Sequence, residues 1–150
     1  MRLHPTLLTL GLLSCHASSP SQAPIRLWVA HPKAEVIRLT SVAVTSAGFT
    51  VTKSDTVAGS LAAERAAAAG GNAPFQRCEQ GQGGPRAPVA FSSRVTLVVA
   101  VQDTSGGALV GISAEVPSAR TEMAGPGGHP VLWTCRSSGR IEQVVAESLQ

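Results

Sequence analysis

Three cysteines are the residues of this 150-residue chain whose positions suggest specific chemistry. Cys15 ends a short apolar run, Gly11-Leu12-Leu13-Ser14, and precedes a polar segment that is rich in Ser and Pro and ends at Pro24. Cys78 and Cys135 lie far from it and from each other in the sequence. A cysteine thiol can be acylated, oxidised to a disulfide or used as a nucleophile, and its surroundings decide which.

The stretch from Gly11 to Cys15 resembles the lipobox of bacterial lipoprotein signal peptides, with Leu three positions before a cysteine and a small residue directly before it. The resemblance implies that residues 1–14 are a signal peptide and that Cys15 carries the lipid that anchors the protein to a membrane. The apolar run over 6–13 has the length of a secretory signal and is too short to span a bilayer. We expect residues 15–24 to form a flexible tether.

The residue after Cys15 bears on the destination of the protein. His16 is not the Asp that commonly retains such lipoproteins at the inner membrane, so we expect the periplasmic face of the outer membrane. The alternative is an ordinary secretory signal, which would give a secreted or periplasmic protein.

If Cys15 is lipidated, Cys78 and Cys135 remain as a pair. An even number of cysteines in an exported protein predicts a disulfide between them. The alternative is two free thiols that never meet. His129 is close enough in sequence to suggest Cys135 as a nucleophile, but this spacing carries no family signature, and a structural role is favoured.

Other polar residues do not form a recognisable site. His31 and His129 are isolated, without cysteines or carboxylates at metal-ligand spacing. The glycines at 81–84 lack the preceding strand and the Gly-Lys-Ser/Thr ending of a phosphate-binding loop. Glu142 and Glu147 are predicted to face solvent on the last helix, and Trp28 and Trp133 to pack in the core. We therefore expect no metal, no cofactor and no catalytic residues.

The charge of the chain excludes one class of partner. Charged residues make up 14% of the sequence and the net charge is +3, without a cluster of Arg and Lys interleaved with aromatic residues. Nucleic-acid binding requires such a basic surface, so it is not expected. A membrane is expected as a partner only through the lipid on Cys15, since no basic amphipathic helix is present.

Apolar periodicity predicts the secondary structure of the rest of the chain. Alternation with period two predicts strands, and a 3.6-residue stripe predicts helices. The predicted strands cover 25–29, 49–53, 57–65, 92–102, 108–116 and 130–135, and the predicted helices cover 33–47 and 140–149. The strand over 57–65 competes with a helix over 61–69 because that stretch is rich in Ala.

This order predicts one α+β domain over 25–150, with an antiparallel sheet of five or six strands and both helices on one face. Residues 66–91 are rich in Gly, Ala and Pro and are predicted to be a long loop. Gly48, directly after the first apolar stripe, suggests a left-handed helix C-cap.

The helix that ends at Ala47-Gly48-Phe49, the following strand, Ser54-Asp55 and Gly59 resemble the helix-grip domains of the C lipoprotein of the outer-membrane β-barrel assembly machinery. The similarity covers about 25–61 and the final strand and helix. It implies a sheet wrapped around a helix and an accessory binding role, with an envelope protein as partner.

Two functions are therefore open at the level of sequence. The first is a lipid-anchored cell-envelope protein with a non-catalytic binding domain, in outer-membrane assembly or maintenance. The second is a periplasmic domain that binds a small molecule in a pocket between sheet and helix. A dry helix–sheet interface would favour the first, and a roomy apolar pocket near a tryptophan the second.

Overall fold

The computed structural model describes residues 23–68, 70–80, 92–117, 119–121 and 131–150. The predicted signal peptide, Cys15 and most of the tether lie outside these ranges. So do His129 and the glycines at 81–84.

The chain contains eight described strands and two α-helices. In chain order they are β1 (Ile25–Val29), α1 (Lys33–Ser46), β2 (Thr50–Asp55), β3 (Ser60–Ala66), β4 (Gln76–Gln80), β5 (Arg94–Thr104), β6 (Gly107–Glu115), β7 (Ala119–Thr121), β8 (Val131–Ser137) and α2 (Arg140–Ser148). A short 3-10 helix, Ala73–Phe75, precedes β4. The α+β class is confirmed, and the described elements follow the predicted order with two additional strands.

Five strands form the main antiparallel sheet in the order β1-β6-β5-β3-β2. The β5–β6 hairpin lies at the centre of this strand order. Along β5, alternate side chains from Val95 to Val101 are buried and their neighbours are more exposed. A two-residue turn joins the pair, and Gly106 supplies its left-handed conformation with a φ of 84°. An L-residue with a side chain rarely adopts this conformation, so the sequence and the turn geometry agree.

Both helices pack on one face of this sheet, as predicted. Helix α1 buries the predicted stripe, which includes Val36, Ile37, Thr40, Ala43 and Val44. Helix α2 contributes Ile141, Val145 and Leu149 to the same core. Because all of these side chains are almost fully removed from water, the helix–sheet interface is the main source of hydrophobic stabilisation.

Gly48 ends α1 as the sequence indicates. Its φ is 79°, and the amide of Phe49 donates to the carbonyl of Val44 at 2.9 Å while the amide of Gly48 donates to Thr45 at 2.9 Å. This pair of bonds is a Schellman motif, which satisfies carbonyls that the helix end would otherwise leave open.

The strand after β2 begins later than predicted. Residues 56–59 form a turn in which the Asp55 carboxylate accepts hydrogen bonds from the amides of Val57 and Ala58, at 2.9 and 2.7 Å. Val57 is 86% exposed, so its apolar character does not reflect burial. From Ser60 the chain is a strand and not the competing helix, because β3 lies between β2 and β5 and pairs with both.

The prediction of a loop over 66–91 is wrong for its middle part. In addition, the strands form two sheets and not the predicted single sheet. Residues 76–80 form β4, which pairs with β8 in a second sheet of order β4-β8-β7. The last strand therefore belongs to this second sheet and not to the main one. Arg77, Cys78 and Glu79 show no apolar alternation, so strand formation here depends on the partner strand and not on a local pattern.

A buried amide connects the second sheet to the chain that enters the main sheet. Gln76 is 3% exposed, its side-chain NH₂ donates to the carbonyl of Ser92 and its oxygen accepts from the Ser92 amide, both at 2.9 Å. These bonds satisfy a buried backbone donor and acceptor at once. Phe75 adds an apolar contact, because its ring packs edge-on against Phe49 with the centroids 5.3 Å apart.

Candidate functional site

Cys78 and Cys135 occupy opposite positions on β4 and β8 and are joined by a disulfide bond, with their Cα atoms 4.1 Å apart. The predicted proximity of the two cysteines is thus confirmed, although Cys78 lies in a strand and not in a loop. Since both sulfur atoms share this bond, neither is available as a nucleophile in this state. Trp133 and Val116 pack around Cys135, which places the bond at the apolar centre of the second sheet.

The two tryptophans have opposite environments. Trp133 is 4% exposed and packs beside Cys135, which confirms the core position predicted for it. Trp28 is 56% exposed, so the core position predicted for it is wrong. The alternation in β1 indicates the orientation of Trp28. Leu27 and Val29 face the core, so the residue between them must point to the other face of the sheet.

Neither helix covers the second face of the main sheet within the described part of the chain, and we refer to this surface as the outer face. It is formed by the outward residues of β1, β6, β5 and β3. Its exposed large apolar side chains are Trp28, Val98 and Leu109. Small residues, Ala100 and Gly111, lie opposite each other next to them. The outer face therefore has an apolar centre.

Trp28 is held in place on this face. Its indole Nε1 donates to the hydroxyl of Thr104 at 3.1 Å. Its ring lies against Gly107, where an added Cβ atom would be 2.9 Å from the ring atom Cζ2. The absence of a side chain at Gly107 thus lets the ring lie close to the backbone. A fixed aromatic ring loses little conformational entropy when a partner covers it.

A shallow depression of about 240 Å³ lies on the same face. Its lining residues are Arg26, Ala100, Gln102, Leu109, Val110 and Gly111. Arg26 and Gln102 supply hydrogen-bond donors at the edge of an apolar surface. This combination of an aromatic anchor, an apolar centre and polar groups at the rim is typical of protein–protein interfaces.

Glu142 does not face solvent as predicted. It is 3% exposed in the first turn of α2, and its Oε2 atom has no hydrogen-bond partner among the described residues. It lines a second cavity, of about 210 Å³, at the start of that helix. Its position next to Ile141, a core residue, is the only sequence signal of this burial. Glu147 is exposed, as predicted.

The ion pairs among the described residues lie at or near the surface. On α1, a hydrogen bond from the guanidinium of Arg38, at 2.8 Å, lowers the pKa of the Glu35 carboxyl. Lys33 forms an ion pair with Asp103 at 3.0 Å, and its ammonium also donates to the carbonyl of Val57 at 2.9 Å. The Lys33 contacts connect the start of α1 to the turn after β2 and to the end of β5.

Within the ranges that the structure describes, no three His, Cys, Asp or Glu side chains come close enough together to bind a metal ion. The helices in those same ranges are also too short or too polar to cross a membrane. His31 is described, half-buried at the loop before α1, while His16 and His129 lie outside the described residues.

Comparison with known proteins does not add to these observations. No family model matches the sequence, and no curated protein matches it.

Proposed function

We propose that this chain is a lipid-anchored bacterial cell-envelope protein whose domain is non-catalytic and binds an envelope protein through the outer face of the main sheet. The observation that carries the proposal is the open outer face itself, with Trp28, Val98 and Leu109 exposed on it. A sheet normally covers its second apolar surface with another layer or keeps it polar. An exposed apolar patch on a folded domain commonly marks an interaction site.

The alternative, a small molecule held between sheet and helix, has less support. On the inner face the side chains of Val36, Leu97 and Val99 are fully buried. Of the two described cavities, one lies on the outer face, and the other lies at the edge of the sheet, between the start of β1 and the start of α2, with neither tryptophan in its lining. A close-packed interface would have to separate before a ligand could enter, at a cost of lost packing.

The lipid anchor is part of this proposal and concerns Cys15. A diacylglycerol and an amide-linked acyl chain on its N-terminus would hold the domain at the outer membrane through the tether, durably, because several acyl chains are present. A partner in outer-membrane assembly or maintenance would lie within reach of such an anchored domain. The same location provides the oxidising environment that a Cys78–Cys135 bond requires.

The anchor is tested by Cys15→Ser in the full chain. The variant should move from the membrane fraction to the soluble exported fraction and lose acyl-chain labelling. Unchanged membrane association, or no acyl labelling of the parent protein, would contradict the anchor.

The outer face is tested by site-specific photocrosslinking in intact cells. A photoreactive residue at Leu109 should give a discrete crosslinked protein, and the same residue at Val42 should not. Val42 is a suitable control because it is 57% exposed on α1, away from the outer face. Trp28→Ala should reduce the Leu109 crosslink severalfold without changing protein abundance. Equal crosslinking at both positions, or no effect of Trp28→Ala, would refute the outer face as the interface.

A further inference from the structure

Glu142 is a buried acidic group, and one of its two carboxylate oxygens lacks a hydrogen-bond partner among the described residues. Only 3% of its surface is exposed, and its Oε2 atom contacts no hydrogen-bond donor within the described part of the chain. None of the described ion pairs includes it either. Buried charges in folded proteins are normally paired or hydrogen-bonded, because an isolated ion in a low-dielectric environment is costly. A carboxylate left in this state therefore needs an explanation.

A structural role at the helix end does not provide that explanation. Glu142 is in the first turn of α2, where the helix dipole favours a negative charge. A capping role would require a hydrogen bond from a backbone amide to the carboxylate, and the described residues form no such bond. The amides of Gly139 and Arg140 donate instead to the hydroxyls of Ser137 and Ser138, at 3.1 and 3.4 Å.

The carboxylate lines a cavity large enough for a small group. The cavity has a volume of about 210 Å³, and its other lining residues are Ala23, Ile25, Ser138, Gly139 and Gln143. The hydroxyl of Ser138 is already used, because it donates to the carbonyl of Pro74 at 2.9 Å. The wall next to β1 is apolar. An occupant must therefore bring its own donors to Glu142 and can place an aliphatic segment against Ala23 and Ile25.

We propose that this cavity is a binding site for an alkylammonium group, the chemistry of a lysine side chain or of a free alkylamine, with Glu142 as the anionic contact. A compact ammonium offers three donors and the opposite charge, and its alkyl stem fits the apolar wall. A metal ion fits less well, since the described residues around the cavity supply a single carboxylate. The proposal is independent of the outer face, because none of these lining residues lies on that face.

The probe for the test is butylammonium chloride, titrated into the full-length purified protein and followed by amide NMR. The amides of Gly139, Glu142 and Gln143 should shift and saturate. Neutral butyramide and sodium chloride at equal ionic strength should give no saturable shift. Methylguanidinium tests whether any cation suffices, and it should bind more weakly than butylammonium. A lysine-containing tripeptide compared with butylammonium then distinguishes a protein-borne from a free amine.

Variants assign the effect to the carboxylate. Glu142→Gln keeps the shape and removes the charge, so butylammonium affinity should fall at least tenfold while the melting temperature stays equal or rises. Glu147→Gln, on the exposed side of the same helix, should bind like the parent. Trp28→Ala should also bind like the parent, which separates this site from the outer face. Glu142→Asp keeps the charge and displaces it from the site, so this variant should also bind butylammonium more weakly than the parent.

Three results would overturn the proposal. The first is no saturable shift with butylammonium in the parent protein, which would indicate a cavity filled by water alone. The second is equal binding by the parent and Glu142→Gln. The third is a large drop in melting temperature for Glu142→Gln, which would show that the carboxylate stabilises the fold.

Discussion

The Cys78–Cys135 bond should contribute a large part of the stability of this domain. The two residues are 57 positions apart, so the bond closes a loop of that length in the unfolded chain. The chain-entropy relation gives about 14 cal/mol/K for such a loop, or about 4 kcal/mol at room temperature. A domain of this size has a free energy of unfolding of roughly 5–15 kcal/mol, so breaking the bond should remove a substantial fraction of it.

Urea unfolding of the double variant Cys78→Ala/Cys135→Ala, followed by tryptophan fluorescence, measures this contribution. We expect a free energy of unfolding about 4 kcal/mol below that of the oxidised parent, and a melting temperature lower by about 15 °C. The dependence on urea should become steeper, because an unfolded chain without the cross-link exposes more surface. The parent treated with a reductant is the matched control and should unfold like the double variant.

The fluorescence itself reports which part of the molecule changes. Trp133 packs beside the bond, while Trp28 lies on the other sheet. If the second sheet unfolds before the main sheet, then in single-tryptophan variants the fluorescence of Trp133 should change at a lower urea concentration than that of Trp28. The reasoning is refuted if the oxidised parent and the double variant unfold within about 1 kcal/mol of each other, below the range typical of such loops. Two free thiols in protein purified from the envelope would also refute it.

Three further changes test the packing. Val44→Asp places a charge in the fully buried helix–sheet interface and should cost more than about 4 kcal/mol, and a urea midpoint like that of the parent would contradict the core assignment. Gln76→Leu removes both bonds to Ser92, so the buried Ser92 amide loses its partner and the Ser92 carbonyl keeps only the 3.3 Å bond from the Asn72 side chain; calorimetry should show a loss of about 1–3 kcal/mol. Gly59→Ala should destabilise more than Gly106→Ala. Both glycines have positive φ, which costs about 1 kcal/mol or more in each case, but only at Gly59 would the new Cβ collide with a strand carbonyl. Equal losses in urea unfolding would contradict that collision.

Part of the candidate site could be predicted from the sequence. The alternation in β1 requires Trp28 to point away from Leu27 and Val29, so one face of the strand had to carry an aromatic ring. Whether that ring is exposed depends on which face the helices cover, and a strand pattern does not contain this information. Trp133 has the same side chain and the opposite outcome, because it faces the disulfide and Val116 within the second sheet.

Glu142 shows the same limit for a charged residue. Its neighbours Ile141 and Val145 define the buried stripe of α2, and Glu142 lies at the border of that stripe. A residue at such a border is buried or exposed according to what packs beside it. Here Ile25 of β1 and Ala23 lie alongside, and together with the carboxylate they line the cavity.

The sequence alone determined both helices, the β5–β6 hairpin and the end of α1 at Gly48, because apolar period and left-handed turns are properties of a few consecutive residues. Tertiary structure alone decided the division into two sheets. Residues 76–80 have no apolar alternation, and they become β4 only through pairing with β8, the Cys78–Cys135 bond and the bonds of Gln76 to Ser92. These partners come from other parts of the chain. The residues of β4 alone therefore do not indicate that this segment forms a strand.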